Sequence, residues 1–355
     1  MVTLEELLQI MVQRNGSDLH VTAGSPPKIR IDGRLVNTEH DVLTPEMSQK
    51  LVYSILDSNQ IARFEKELEL DMSFGIEGLG RFRTNVFQQR GAVGAVFRII
   101  PYEIKPMKDL GLPGDVCEQL CMLPKGLVLV TGATGSGKST TLASMVDYIN
   151  TVRTDHIITI EDPIEFVHRN KNCLVNQREV GSDTHKFHDA LIHVLRQDPD
   201  VVLIGEMRDI TSIEAALILA ETGHLTFGTL HTSDCVQTIN RIVDVFPAYQ
   251  QQQIRTQLSF TLQAVFCQQL LPKANGRGRI LTAEVMICNS AVRSLIREDK
   301  AHQIYSIIQT GGKSGMRTMN QSLYEAYRAG LITYDDALAH SSDPDDLKRI
   351  FQRTQ

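Results

Sequence analysis

The residues best suited to chemistry in this 355-residue chain form one stretch, Gly132-Ala133-Thr134-Gly135-Ser136-Gly137-Lys138-Ser139-Thr140. It fits G-x-x-x-x-G-K-[ST], the phosphate-cradling P-loop pattern. Small residues let backbone N–H groups curl around a phosphate, and a following helix adds partial positive charge at its N-terminus. Lys138 can reach the β- and γ-phosphates of a nucleotide, and the Ser139 hydroxyl can hold Mg²⁺. A flexible Gly/Ser turn is the plainer reading. The flanks weigh against it: 127–131 reads as a buried strand, and Leu142, Met145, Val146 and Ile149 recur at helical spacing.

Further candidates stand at strand ends. The apolar run 157–160 leads into Glu161-Asp162-Pro163-Ile164-Glu165-Phe166, and the run 201–204 into Gly205-Glu206-Met207-Arg208-Asp209. Acids at the carboxyl ends of strands in an α/β sheet lie on its ligand-binding edge. The second run has a Walker-B arrangement, with Gly205 in the usual Asp slot and Glu206 next to it. Glu206 suits a base that orients and deprotonates an attacking water, since its reach exceeds that of Asp. A strand-capping Glu and a turn-forming Asp162-Pro163 are the structural alternatives. His231 closes the strand and loop 222–232 on the same edge, where it could sense a γ-phosphate or position water. A metal role for it lacks other ligands at suitable spacing.

These residues need a sheet to hold them, and the pattern from residue 115 onward supplies an α/β domain. The segment 211–221 is almost wholly apolar, so it reads as a helix buried all round beneath that sheet. Pro247 begins a long helix with Ile254, Leu258, Leu262 and Val265 on one face. A strand follows at 280–286. In the helix 291–298, Val292, Leu295 and Ile296 face inward, while Arg293 and Arg297 share the other face as on an ordinary surface helix. Small helices occupy 319–329 and 334–339, and the polar end reads as mobile.

The first hundred residues read as a separate small α+β domain. Leu4, Leu7, Leu8 and Met11 make one helical face. The stretch 17–22 alternates as a strand, and 28–35 reads as a hairpin turning at Asp32-Gly33. Thr44-Pro45-Glu46 opens a second helix, and a third covers 59–68. Two antiparallel strands, 80–87 and 92–100, turn at Arg90-Gly91. That register sets Arg83 opposite Arg98, and Arg81 shares the face of Arg83 by the period of two. The three arginines read either as a solvated sheet face or as an anion clamp for a phosphate site in this chain or a neighbouring subunit. Pro101 to Pro106 has the character of an extended linker. The expected division is 1–100, a linker at 101–114, and 115–355.

Composition narrows the partners. Apolar residues make up 42% and charged residues 22%, as in globular proteins. The net charge of −6, the absence of Trp and a pI near 6.0 weigh against a nucleic-acid groove. Glu5 and Glu6 do not suit a signal peptide, and no apolar run has the length of a membrane span. A cytoplasmic protein without direct membrane insertion is expected. The six cysteines lack a C-x-x-C pair, which reads as reduced thiols with neither a zinc site nor a disulfide framework. Cys117 and Cys121 share one face of a short helix as core packing.

Taken in order, these motifs resemble the secretion-ATPase superfamily, and more narrowly its PilT-type retraction ATPases of type IV pili. The marks are Ser17-Asp18-Leu19-His20, Arg81-Phe82-Arg83, the Walker A loop, the acidic box 160–166, the atypical Walker B 205–209, and a histidine box holding His224 and His231. Walker A alone is shared by many families, but the ordered set is specific. The resemblance implies a PAS-like N-terminal domain, a flexible linker and a RecA-like ATPase core. It also implies a ring of six identical chains with ATP between neighbours. Arg81, Arg83 and Arg98 would then reach the phosphates, with Glu206 as catalytic carboxylate assisted by Glu165 or Glu161. An inner-membrane platform protein of the pilus is the implied partner. Assembly ATPases usually carry an extra N-terminal domain and a four-cysteine zinc motif, which this sequence lacks. Retraction ATPases carry a late helix of pattern Ala-Ile-Arg-Asn-Leu-Ile-Arg-Glu, here 291–298 with Val292 and Ser294 at two positions. The competing readings are a pilus assembly or secretion motor, a RecA-like nucleic-acid motor and a small-molecule kinase.

Overall fold

A computed structural model describes residues 2–353 except 32, 101 and 102. It divides into two compact units, Met1–Glu103 and Ile104–Gln355. Asp32 of the expected hairpin turn, and Pro101 and Tyr102 of the expected linker, lie outside the described residues. Residues 103–106 form no helix or strand.

The first unit is built on six strands: β1 (Asp18–Val21), β2 (Lys28–Ile31), β3 (Arg34–Asn37), β4 (Glu69–Ile76), β5 (Gly80–Gln89) and β6 (Ala92–Ile100). Their order is β3-β2-β1-β6-β5-β4, and all neighbours are antiparallel. The helix Leu4–Gln13 begins with a capping box between Thr3 and Glu6 and buries Leu4, Leu7, Leu8 and Met11. These pack with Leu19, Phe82 and Phe97 on one face of the sheet. The Thr44 hydroxyl accepts the Met47 N–H at 3.2 Å and caps the helix Pro45–Tyr53. Arg90 (φ 48°) and Gly91 (φ 76°) form the tight turn between β5 and β6. Two left-handed residues match the twist of the paired strands. This turn sets Arg83 opposite Arg98.

The second unit has seven strands: β7 (Gly126–Thr131), β8 (His156–Glu161), β9 (Leu174–Glu179), β10 (Val201–Ile204), β11 (Leu225–Leu230), β12 (Leu262–Pro272) and β13 (Arg279–Ile287). Their order is β13-β12-β7-β11-β10-β8-β9. All pairs are parallel except β12–β13. Period-two alternation feeds two cores. Leu127, Leu129, Ile158, Ile160, Val202 and Ile204 enter one, and Val128, Val130, Ile157, Val201 and Leu203 the other. Helices cover both faces, which is why these strands read as continuous apolar runs.

Four expectations change. The helix Ile210–Glu221 buries Ser212, Ile213, Ala216, Leu217, Leu219 and Ala220, but Ile210, Glu214 and Ile218 are exposed. It lies against the sheet by one side, so its other stripe meets solvent. The long helix is Ala248–Thr261; Leu262 and Val265 belong to β12, paired with β7. Their spacing of three fits a helix and not a regular strand; a bulge between Leu262 and Ala264 lets both enter the same core from β12. Arg293 does not point to solvent as on an ordinary surface helix. It donates to the carbonyls of Ser259 at 2.6 Å and Phe260 at 3.0 Å and to Gln263 Oε1 at 2.9 Å. It thus satisfies helix-end carbonyls that have no partner within their own helix. Finally, the polar end is not loose chain. A last helix, Pro344–Arg353, fully buries Leu347 and sets Phe351 among Tyr324, Tyr327 and Tyr334.

All six cysteines are buried free thiols, and burial pushes Cys117 up to about 12. Among the described residues, no helix is long and apolar enough to cross a membrane.

Candidate active site

The strand β7 ends at Thr131, and the helix Lys138–Val152 starts six residues beyond Gly132. Between them the loop needs its glycines. Gly132 sits at φ 139°, and a Cβ there would lie 2.4 Å from the Gln268 carbonyl and 2.6 Å from Ser136 Oγ. Gly135 and Gly137 also have positive φ. No side chain caps the helix start, so its first N–H groups remain for an anion. Lys138 Nζ lies over the loop, donating to the carbonyls of Gly132 at 2.8 Å and Ala133 at 3.1 Å. Burial lowers its pKa, opposed by the charges of Glu206 and Glu165. Ser136 Oγ is buried without a hydrogen-bond partner among the described residues. An uncapped helix start, a glycine cradle, a poised ammonium and an orphaned hydroxyl fit a polyphosphate. Ser139, in the first helical turn, has a hydroxyl suited to the accompanying Mg²⁺.

The parallel order β7-β11-β10-β8 brings the next candidates to the same edge. Gly205 follows β10 closely against β8: its N–H donates to the Ile160 carbonyl at 2.8 Å, and a Cβ would lie 3.1 Å from that oxygen. That contact leaves little room for a side chain in the Asp slot. Glu206 projects beyond it. Its carboxylate accepts from Arg208 Nη2 at 2.8 Å, and His231 Nε2 lies 3.3 Å from its other oxygen. Arg208 in turn stands 3.8 Å from Asp162. The Arg208 hydrogen bond, then the charges of Arg208, His231 and Lys138, hold the Glu206 carboxyl below the usual range, against a smaller desolvation cost. Glu206 is therefore ionised at neutral pH.

The two acids of the box after β8 differ. Glu161 turns inward, accepting from Thr159 Oγ1 at 2.6 Å and Gln177 Nε2 at 3.2 Å. Burial raises it to about 6, partly opposed by those hydrogen bonds. Glu165 is exposed and acts on Lys138 by charge.

Arg81, Arg83 and Arg98 lie on the sheet of the first unit. Arg98 Nε donates to the buried Asp18 at 2.8 Å, and Arg81 donates to Ser73 Oγ at 2.6 Å. Arg83 is exposed and makes no hydrogen bond or ion pair with the described residues.

Sequence reasoning missed two participants. Arg208 carried no assigned role, although its place two residues after Glu206 was the available signal. Gln268 had no signal at all. Its carbonyl sets the space at Gly132, and its amide pairs with Thr141 beneath the P-loop.

A family profile described as "Type II/IV secretion system protein" matches residues 2–339. This chain belongs to that family. Within the family, the type IV pilus retraction ATPase PilT of Pseudomonas aeruginosa is 49% identical over 344 residues, covering 97% of this chain and 99% of that protein. A twitching motility protein of Neisseria gonorrhoeae is 46% identical over 321 residues, covering 90% of this chain and 86% of that one. Among solved structures, the pilus retraction motor PilT with bound ADP matches with a TM-score of 0.92 at 52% identity. That match covers 98% of this chain and all of the solved one. The α/β fold described above is thus the fold of this secretion-system family. The similarity to its PilT-type members runs nearly end to end.

Proposed function

We propose that this chain is a mechanochemical ATPase that drives retraction of type IV pili. The observation that carries the reading is its end-to-end similarity to a pilus retraction ATPase, 49% identical over 97% of the chain. The chain hydrolyses ATP. Residues 132–140 cradle the phosphates, Lys138 reaches the outer ones, and Ser139 would hold Mg²⁺. When bound, the metal neutralises charge on the phosphate oxygens. Glu206 is the base for the attacking water; being ionised, it is ready to accept a proton. His231, 3.3 Å from Glu206, is the sensor that couples the carboxylate to the γ-phosphate. Glu165 and Glu161 assist, the latter with a carboxyl raised to about 6.

Arg81, Arg83 and Arg98 are the arginines that close over developing phosphate charge. Arg83, bare in its own sheet, is the first candidate, because Arg98 is already committed to Asp18. The architecture in this reading is a PAS-like domain at 1–100, a linker at 101–114 and a RecA-like core with a C-terminal helical region at 115–355. Six identical chains form the ring, which works on the cytoplasmic side with a platform protein of the inner membrane.

The experiment is a count of surface pili in cells whose single copy carries Lys138→Ala. Abundant pili that no longer shorten support retraction. Loss of pili reverses the direction to assembly, and unchanged pili remove the chain from this machine.

A further inference from the structure

Cys235, Cys267 and Glu284 form no spacing motif in the sequence, yet the fold brings their ligand atoms within 4.8 Å of one another. Three neighbouring strands do part of this. Thr131 of β7, Cys267 of β12 and Glu284 of β13 are register partners in a row. Cys235 joins them from the first position of the helix Cys235–Asp244, capped by Asp234. All three residues are buried.

The two sulfur atoms are 3.7 Å apart. That is well beyond a disulfide bond of about 2.0 Å. It is close to the spacing of two thiolates on a tetrahedral zinc ion, where Zn–S bonds of about 2.3 Å put the sulfurs roughly 3.8 Å apart. Glu284 adds an independent sign. It is 4% exposed and accepts the Cys235 N–H at 2.9 Å, besides hydrogen bonds to the Cys235 thiol and the Met319 backbone. Burial still raises its carboxyl above the usual range, and it makes no ion pair with the described residues. Buried carboxylates are seldom left without a cation. Thr131 Oγ1 donates to Cys267 Sγ at 3.0 Å, the kind of hydrogen bond that orients a metal-binding thiolate. Glu284 lines a cavity of about 290 Å³ shared with Ser233, Asp234 and Gln269, and two carboxylates there favour a cation.

We propose that Cys235, Cys267 and Glu284 bind a thiophilic divalent cation of the zinc class, with water as the fourth ligand. Two sulfur donors select zinc over magnesium or calcium, so this site is distinct from the Mg²⁺ position at Ser139. The ion would tie the β12–β13 pair to the helix that follows His231.

The test uses the full chain, reduced and stripped with a chelator, with Co²⁺ as the probe. The expected result is thiolate-to-cobalt charge-transfer absorption that saturates at one ion per chain and is bleached by Zn²⁺. Cys267→Ser should weaken binding by more than the ~10–100-fold that follows loss of a group merely hydrogen-bonded to a ligand. Cys288→Ser, at a buried cysteine elsewhere, should leave it intact. If Cys267→Ser does not fold, Glu284→Gln takes its place, and the parental spectrum decides by itself whether sulfur ligates. Absence of the charge-transfer band in the parental protein, or a band equally strong in Cys267→Ser, overturns the site.

Discussion

Replacing Arg293 with alanine should cost stability before it costs any partner contact. The guanidinium makes three hydrogen bonds, to the carbonyls of Ser259 and Phe260 and to Gln263 Oε1. They are not equal. Phe260 is 64% exposed, so water replaces the arginine there, and the Gln263 amide can find other partners. Ser259 is fully buried, and its carbonyl would lose a charged donor with nothing to replace it. Such a bond is worth about 1.5–3 kcal/mol, so the loss should be about 2 kcal/mol. In a unit of this size, 104–355, that lowers the melting midpoint by roughly 4–8 °C. Arg293→Lys should recover only part, because an ammonium cannot span the fork. Arg297, which sits over the exposed Phe260 ring at 5.7 Å, should cost only about 0.5 kcal/mol when cut to alanine. Thermal unfolding of the three variants beside the parental chain gives the comparison. A midpoint for Arg293→Ala within about 1 °C of the parent, together with lost retraction, would refute the capping argument. It would make Arg293 a contact residue instead.

Glu206→Gln keeps the size of the side chain but removes the base. ATP hydrolysis should fall about 10²–10⁴-fold while a fluorescent ATP analogue still binds; hydrolysis at the parental rate would remove Glu206 from the chemistry. Arg208→Ala tests the charge balance. Glu206 is depressed first by the Arg208 hydrogen bond, so its ionised form exists above a lowered pKa and is lost as pH falls through it. Without Arg208 that pKa rises towards the ordinary range. The acid limb of hydrolysis rate against pH should then move to higher pH, with His231 and Lys138 still in place. A limb that stays put or moves down would contradict the geometry.

Much of the site was legible because its parts are local. The glycine loop, its strand and its helix adjoin in sequence, and the turn at Arg90-Gly91 alone determines that Arg83 faces Arg98. The rest depends on distant neighbours. β12 follows the helix Ala248–Thr261 with no Gly or Pro between them, so no breaker marks the change at Leu262. Pairing with β7 is what ends the helix. Arg293 looked solvent-facing because its acceptors lie about 30 residues earlier. The approach of His231 to Glu206 exists only once β10 and β11 lie side by side. Cys235 and Cys267 meet only when β12 takes its place beside β7. The closing helix was obscured by its many charges, which conceal the buried Leu347 and the ring of Phe351.

That closing helix matters to anyone trimming the gene for expression. The family match stops at residue 339, which makes 339 a tempting place to cut. A chain ending there would lack Leu347 and Phe351. Leu271 of β12, Leu323 of the helix Met319–Arg328 and the faces of Tyr324 and Tyr327 would then lose their cover. Such a fragment would keep every group of the P-loop edge. It would also present a sticky apolar patch to its own copies, and poor yield from it would say nothing about the enzyme.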